Sequence, residues 1–331
     1  MAEKAIKLKQ NKQKTPFTLG KFRKFMMGTK DDMGFLKKLF TYIILVCVGF
    51  IFLYPIFRMI STSFMDLSDL LDSSIQWLPT KMRWSNYKSA ISAMNYKKSL
   101  IDSIIVAGIP TVCQVVVSAL VGYGLARFDF FGKKAVFGLI IFSFVLPPQI
   151  LVMPTYVMYM DLGWIGTLTS YIVPSILGQG LKSQIFILIC WSFFKQVPQS
   201  LIEAASIDGA GYLKSFFKVA LPSAAGGLLV VFLFSFVWYW NESYLTQLYI
   251  YGSNAAQSTF NTIVCNLDKF ENSYASYAAT SGSSGGTAAP SINDSIRMAA
   301  TMLSILPLLL MYFVLQRQFV ESIDRTGITG E

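Results

Sequence analysis

The chain has 331 residues, of which 53% are hydrophobic and only 14% are charged, and its formal net charge is +10. A soluble domain normally carries about 25% charged residues, so this composition excludes an ordinary soluble globule and indicates that lipid surrounds much of the chain. There is no histidine, and the four cysteines are scattered. The commonest general base and metal ligand is therefore missing, and the sequence predicts neither a catalytic site nor a metal site.

Six segments contain the roughly 20 apolar residues that a helix needs to cross a hydrocarbon core about 30 Å thick. They predict an all-α transmembrane protein with spans at about 40–60, 101–126, 135–158, 168–194, 224–245 and 296–315. On this prediction the chain has a basic N-terminal tail at 1–39, a transmembrane domain at 40–318 and a C-terminal tail at 319–331.

Lysine and arginine are concentrated in the N-terminal tail and in the connections that follow spans two and four. Because cytoplasmic connections are enriched in these residues, we expect both termini to be cytoplasmic. The positive charge then indicates topology and not nucleic-acid binding. Two external connections are long, 61–100 and 248–295, and the second contains the small-residue run SGSSGGTAAPS. That connection either has a function of its own or is an insertion without one.

The cytoplasmic segment 196–222, QVPQSLIEAASIDGAGYLKSFFKVALP, predicts two short helices. The first begins near Pro198, and Gly209 and Gly211 mark a break, since glycine tolerates the positive φ of a sharp turn. An apolar face on the first helix is formed by Leu201, Ile202, Ala205 and Ile207. In one interpretation, the two helices lie on the lipid headgroups.

The same segment resembles the EAA loop of binding-protein-dependent ABC importer permeases. The residues that carry the resemblance are an acidic residue with two alanines, an Asp-Gly pair and a Leu-Pro pair: Glu203, Ala204, Ala205, Asp208, Gly209, Leu221 and Pro222. The resemblance implies that they form a coupling helix, which seats in a groove of a separate cytoplasmic ATPase. Small alanines would allow a close approach to that groove.

The resemblance covers residues 40 to about 250 and is greatest to the carbohydrate-uptake branch of the family, in particular to the smaller membrane subunit of the maltose permease. The run Gly122-Tyr123-Gly124-Leu125-Ala126-Arg127-Phe128 and the triplet Trp240-Asn241-Glu242 match it. An Asn-Ser pair usual at the start of span two is replaced by Asp102-Ser103.

This resemblance implies a type I, six-helix permease in the bacterial cytoplasmic membrane. Its partners would be membrane lipids, a second related permease subunit in a heterodimer, two cytoplasmic ATPase subunits and an extracytoplasmic solute-binding protein. ATP and Mg would be bound by the ATPase subunits, so that this chain would hold no cofactor and catalyse no reaction itself. Consistent with this, the chain lacks the G-x-x-x-x-G-K-[ST] phosphate-binding loop.

Polar side chains within predicted spans are candidates for the substrate path, because such groups are expensive in lipid and usually face a water-filled cavity. Span four contains Gln179, Lys182 and Gln184, and Lys182 would line the path, pair with a carboxylate or extend to the membrane surface. Span three contains Pro147 and Gln149, where a break would either line a gate or kink the helix for packing.

Trp240, Asn241 and Glu242 lie towards the outer end of span five. Aromatic faces beside amide and carboxylate groups suit a sugar site, whereas an aromatic belt at the membrane surface is the interpretation that we favour.

The predicted function is ATP-driven import of an oligosaccharide or other carbohydrate by alternating access. The alternatives are import of a non-sugar solute and a secondary transporter. The latter is disfavoured because such transporters often contain internal repeats, and none is evident here.

Overall fold

The computed structural model describes residues 34–252, 259–283 and 292–328. Throughout these ranges the regular structure is helical, with no strand among them, and the predicted all-α class is confirmed. Contacts divide the chain into two units, Met1–Ser61 and Thr62–Glu331. The basic tail up to residue 33 and most of the SGSSGGTAAPS run lie outside the described residues.

The first unit contains most of helix α1, Phe35–Ser63. Its 29 residues are apolar, and the side chains between residues 35 and 60 are largely exposed. A helix that is apolar and exposes its side chains is suited to a lipid environment. The predicted first span at 40–60 lies within α1.

The second unit is a succession of helices joined by short connections. In chain order they are α2 (Leu67–Leu71), α3 (Ser85–Ala93), α4 (Tyr96–Arg127), α5 (Lys133–Val145), α6 (Pro148–Asp161), α7 (Thr169–Ile176), α8 (Ser183–Gln196), α9 (Gln199–Ile207), α10 (Tyr212–Ser215), α11 (Leu221–Ser223), α12 (Ala225–Asn241), α13 (Ile263–Asp268), α14 (Phe270–Ser283) and α15 (Asp294–Ile328). One π-helical segment, Phe216–Ala220, follows α10, and a second, Thr246–Tyr251, precedes α13.

By length and composition, the described helices provide up to six membrane spans. Three are single helices: α1, α4 and the Asp294–Phe319 part of α15. The other three are bent pairs, with bends of 100° between α5 and α6, 70° between α8 and α9, and 76° between Tyr212–Ser223 and α12. The predicted count of six equals this upper number.

The predicted span at 168–194 is not one helix, which corrects its interpretation as a continuous span. Helix α7 ends at Ile176 and α8 begins at Ser183. Between them Gly178 and Lys182 have φ of +73° and +58°, values that a right-handed helix does not accommodate. The break predicted at Pro147 is present, because Leu146 is extended before a proline and Pro148 occupies the first turn of α6.

Helix α4 is central in the second unit and packs against α7, α8 and α12. Aromatic rings fill the contacts at one end of it, where Tyr123 packs against Phe194 and Phe216 with ring centroids 5.3 and 4.9 Å apart. A second buried cluster, farther along α4 and α12, contains Val106, Tyr171, Tyr239 and Trp240 among others. The first cluster includes residues of the 196–222 segment, and Leu181 packs against the second.

Polar contacts hold the connection after span five against the start of α4. The Asn261 amide donates to Asp102 Oδ2 (2.8 Å) and the Ile263 amide donates to Ser103 Oγ (2.8 Å). Asp102 and Ser103 are the pair at which this sequence departs from the usual Asn-Ser. The aspartate that replaces asparagine still provides a side-chain oxygen, which accepts the hydrogen bond from the Asn261 amide.

The connection 61–100 is also held by side-chain contacts. Thr80 donates from its hydroxyl (2.6 Å) and its amide (3.1 Å) to Asp69, and these hydrogen bonds lower the pKa of that carboxyl group. The Trp84 ring packs edge-on against Phe64 at 4.9 Å. Trp84 therefore helps to stabilise the connection in which it lies.

Candidate functional site

Residues 196–222 form two short helices separated by a turn, as the sequence predicts. Helix α9 begins directly after Pro198, and α10 begins after Gly211. The turn at Gly209 has φ +78°. The Ala210 amide bonds back to the Ala205 carbonyl (2.9 Å) and the Gly209 amide to the Ser206 carbonyl (3.1 Å). These are the two bonds of a Schellman motif, which needs a left-handed residue and is therefore best served by glycine.

The apolar residues of this segment are divided between two surfaces, which corrects the prediction of a single apolar face. Ile202 packs against the buried cluster around Phe194 and Phe216. The opposite surface is open, with Ile207 87%, Tyr212 77% and Leu213 72% exposed. We call the exposed residues Leu201, Ile207, Tyr212 and Leu213 the coupling surface. Glu203 and Asp208 are exposed in the same segment, so an acidic and apolar surface is available to a partner.

Arg127, at the last position of α4, connects that helix to the start of the 196–222 segment. Its guanidinium donates from Nη2 to the Phe194 carbonyl (2.8 Å) and to the Val197 carbonyl, and from Nη1 to Gln199 Oε1 (2.8 Å). These bonds satisfy carbonyls at the C-terminus of α8 and hold the first residue of α9. Sequence reasoning missed this role, because an arginine at a span end is already explained by the charge asymmetry of membrane proteins.

The break in span four at residues 177–182 is surrounded by a buried polar cluster. The Gln114 side chain donates from Nε2 to the Leu181 carbonyl (2.7 Å), and the Leu181 amide donates to the Tyr239 hydroxyl (3.0 Å). That hydroxyl also shares a hydrogen bond with Ser175 Oγ (2.7 Å). We call Gln114, Ser175 and Tyr239 the polar frame. It satisfies backbone groups that the missing helix turn leaves free.

Gly180 lies within this frame. A Cβ atom at that position would be 2.6 Å from Tyr239 Oη and 2.7 Å from both Gln114 Oε1 and Ser175 Oγ. Only a residue without a side chain fits there, because these distances are shorter than van der Waals contact.

A cavity of about 360 Å³ lies beside the break. Its lining comes from the C-terminal part of α5, from α6, α7 and α12, and from residues 179–184 and 245–249. Gln179, Lys182 and Gln184, predicted for the substrate path, are among the lining residues. The hydroxyl-bearing residues of the lining are Ser143, Thr155, Tyr159, Ser170, Tyr171, Tyr239 and Tyr249.

The other predicted path residues are elsewhere. Pro147 and Gln149 are exposed at the bend between α5 and α6, beside Pro148, which does line the cavity. Asn241 is the last residue of α12 and is exposed, and Glu242 follows it. Trp240 is only 3% exposed and packs against Phe236 at 5.6 Å.

The favoured belt interpretation is therefore wrong for Trp240 and for its neighbour Tyr239, which is also buried. Hydropathy indicates that these residues lie near the end of a span, but contacts with neighbouring helices decide whether a ring faces lipid. In this protein both rings face the packed interior.

Comparison with known proteins assigns the chain to a family. Residues 114–325 match the family model described as binding-protein-dependent transport system inner membrane component. The polygalacturonan/rhamnogalacturonan transport system permease protein YtcP of Bacillus subtilis (strain 168) is 26% identical over 86% of this chain and 94% of its own length. The diacetylchitobiose uptake system permease protein NgcG of Streptomyces coelicolor (strain ATCC BAA-471 / A3(2) / M145) is 26% identical over 85% of this chain and 86% of its own.

The fold is also that of a solved transporter chain. It belongs to a bacterial ABC transporter involved in the import of the acidic polysaccharide alginate. The match covers 86% of this chain and 96% of that chain, with a TM-score of 0.68 and 19% sequence identity. A likeness at this identity concerns the fold alone. The family match shows that the chain belongs to the inner membrane components of binding-protein-dependent transport systems and is a multi-pass membrane permease.

Proposed function

We propose that this chain pairs with a second, related permease subunit and that the two form the path for an oligosaccharide, opening alternately to either side of the membrane. The relatives YtcP and NgcG are named for polygalacturonan/rhamnogalacturonan and diacetylchitobiose, which supports a carbohydrate with more than one sugar unit. The excess of lysine and arginine in the N-terminal tail supports cytoplasmic termini. A solute-binding protein would deliver the substrate from outside.

Two ATPase subunits would supply the energy, one of them docked on the coupling surface. The observation that carries this proposal is the exposure of Ile207, Tyr212 and Leu213 beside the Schellman turn at Gly209. Burying an exposed side chain of this size contributes about 1.5–3 kcal/mol, so these residues would add to the stability of a contact with a partner. ATP and Mg would be bound by those subunits, and this chain would contribute no cofactor and no catalytic residue.

The substrate path would pass the broken spans three and four. Bends at Pro147 and at residues 177–182 expose backbone polar groups, which membrane proteins tolerate beside water-filled cavities. Gln179, Lys182 and Gln184 line the cavity already present there. Gln149 at the bend, and Asn241 and Glu242 at the end of α12, are proposed to border the path as it widens.

The coupling surface is tested by the double substitution Ile207→Asp with Leu213→Asp. We expect the ATPase subunits to be lost on purification and ATP-driven uptake to fall by at least about tenfold, because two carboxylates would have to be desolvated in the contact. Leu78→Asp is a matched control, since Leu78 is 82% exposed in the 61–100 connection. Its effect on ATPase retention should be negligible.

Retention of the ATPase by the double variant would contradict this docking position and would favour helices that lie on the lipid headgroups. Uptake by reconstituted vesicles tests the rest of the proposal. Dependence on an ion gradient without ATP would identify a secondary transporter, and competition by non-sugar solutes alone would exclude a carbohydrate substrate.

A further inference from the structure

We infer that the cavity beside residues 177–182 binds the anionic group of a saccharide, a carboxylate or a phosphate, with Lys182 as its counter-ion. This inference rests on the proposed function, because it specifies the chemical class of substrate for the same path.

The charge of the cavity is unbalanced. Among the described lining residues Lys182 is the single charged side chain. Its ammonium group makes no ion pair or hydrogen bond within the described ranges. Two acidic residues adjoin the lining: Asp161, exposed at the end of α6, and Glu242, whose Oε1 accepts a hydrogen bond from the Leu245 amide (2.9 Å). The Lys182 side chain is exposed, and an anionic ligand in the cavity would give it the partner that lysines within spans normally have.

The backbone conformation of Lys182 is determined by the contacts of neighbouring residues and not by its own conformational preference. Its φ of +58° is uncommon for a residue with a side chain. The preceding residue, Leu181, is held by both of its backbone polar groups, the carbonyl by Gln114 and the amide by Tyr239. Strained backbone persists where surrounding contacts determine it, and such positions are concentrated at ligand sites. The polar frame therefore holds the backbone from which the Lys182 side chain extends.

The N-terminus of α8 adds to the attraction for an anion. Lys182 is the N-cap residue of this 14-residue helix, and its side chain does not cap the helix. The positive end of the helix dipole therefore lies at the backbone of Lys182, beside the cavity that this residue lines. Gln184, in the first turn, lines the cavity and offers an amide. The combination favours negative charge from two independent sources.

Two further polar atoms at this break have no partner among the described residues. Ser183 Oγ and Gln114 Oε1 are buried without a hydrogen bond, although both residues are almost fully enclosed. Buried polar atoms of this kind usually bond to water or a ligand. Neither residue is among those that line the cavity, so these atoms suit enclosed water and not the saccharide itself.

The rest of the lining suits the body of a saccharide. Tyr159, Tyr171, Tyr239 and Tyr249 provide rings and hydroxyls, and the ring pairs 159/249 and 171/239 have centroid separations of 5.1 and 5.3 Å. The volume of about 360 Å³ is near the lower end of the roughly 300–1,000 Å³ typical of small-molecule sites. The cavity thus accommodates the charged end of an oligomer and not its whole length.

The test measures binding and transport separately on the intact assembly. The complex of this chain with its partner permease and ATPase subunits is purified without the solute-binding protein. Its thermal stabilisation is measured with tri-galacturonate, with a neutral galactose trisaccharide and with a hexose phosphate. We expect at least one anionic ligand to stabilise the wild type with an affinity about tenfold or more above that of the neutral trisaccharide.

Three variants locate the effect. Lys182→Met should abolish the preference for the anion and leave binding of the neutral trisaccharide within about twofold, whereas Lys182→Arg should retain the preference because the charge is kept. Lys88→Met, an exposed lysine in α3, is the control and should resemble the wild type. The ligand that loses affinity in Lys182→Met identifies a carboxylate or a phosphate as the group bound.

Equal affinity of the wild type for all three ligands, or an unchanged preference in Lys182→Met, would overturn the inference. ATP-dependent uptake in vesicles is scored independently. If uptake needs no ATP while the anion preference depends on Lys182, the proposed function fails and the anion site stands. If uptake is driven by ATP while anionic and neutral ligands bind with equal affinity, the anion site fails and the proposed function stands.

Discussion

The two breaks in the helical chain, at Gly209 and at residues 177–182, are built in opposite ways. The turn at Gly209 is closed by its own backbone bonds and leaves Ile207, Tyr212 and Leu213 exposed around it. The break at 177–182 is held by the polar frame and leaves a lysine and two buried polar atoms without partners.

The difference indicates what would complete each region. An exposed apolar surface gains free energy by burying area against another protein. A cavity lined by an unpaired cation gains free energy from an anionic ligand. On the two proposals above, the same kind of local event, a helix interrupted at residues with positive φ, would serve a protein partner in one place and a small molecule in the other.

The largest effect is expected from Gly209→Pro. Proline fixes φ near −65°, whereas Gly209 has φ +78°, and it removes the amide that bonds to Ser206. We expect a cost of about 3 kcal/mol or more to the coupling segment and a loss of ATP-driven uptake of about 100-fold. Uptake by reconstituted vesicles is the measurement.

Gly211→Ala is the matched control for this change. Gly211 has φ −68°, and a Cβ atom there would meet nothing within 4 Å. Uptake should stay near the wild-type rate, and both variants should insert into the membrane with normal yield. Normal uptake by Gly209→Pro with the ATPase still bound would show that the segment does not couple.

A smaller effect is expected from Arg127→Met, which tests whether the coupling segment depends on α4. The substitution removes hydrogen bonds to the Phe194 and Val197 carbonyls and to Gln199. A hydrogen bond from a charged donor contributes about 1.5–3 kcal/mol, but water can replace the guanidinium at this partly exposed site. We therefore expect the free energy of unfolding to fall by about 2–3 kcal/mol, less than the sum over the three bonds. Thermal unfolding of the purified assembly measures this.

Arg127→Lys should give an intermediate result, since one ammonium group cannot reproduce the divergent donors of a guanidinium. If both variants unfolded at the wild-type temperature, the contact would contribute nothing to the stability of the segment.

The smallest effect is expected from Gly180→Ala, which tests whether the two breaks are independent. The new Cβ would lie 2.6–2.7 Å from the polar frame, and overpacking of this kind costs about 1–3 kcal/mol. Thermal unfolding should show the loss, while ATPase retention should not change. Gly138→Ala in α5 is the control, because its Cβ would have open space. A loss of ATPase binding in Gly180→Ala would show that the two regions are coupled through the fold.

The sequence predicts one of these regions much better than the other. Residues 196–222 are locally determined, because a proline, two glycines and a short apolar repeat specify helix, turn and helix without help from distant residues. The break at 177–182 was predicted as part of a continuous span, because its residues lie in a long apolar segment and hydropathy averages over them. Gly178 and Gly180 do not by themselves predict a break in the helix, since glycine is common in membrane helices.

The candidate path was predicted in part. Lys182, Gln179 and Gln184 were singled out because polar groups are expensive in lipid, and they line the cavity. Trp240 was chosen for its chemistry alone and is buried in the packed interior. Arg127 was missed, because its partners are about 70 residues away along the chain and no local pattern connects them.

By itself the sequence determined the helical membrane class, the approximate positions of the spans, and the glycine turn and motif of the 196–222 segment. These features depend on local composition and on periodicity, which are properties of neighbouring residues. Only the tertiary structure decided that the Lys182 ammonium borders a cavity with no acidic lining residue, that Gln114 and Tyr239 hold Leu181, and that Ile207 is exposed while Ile202 is packed. Such features depend on which surfaces meet after helices distant in sequence have packed together.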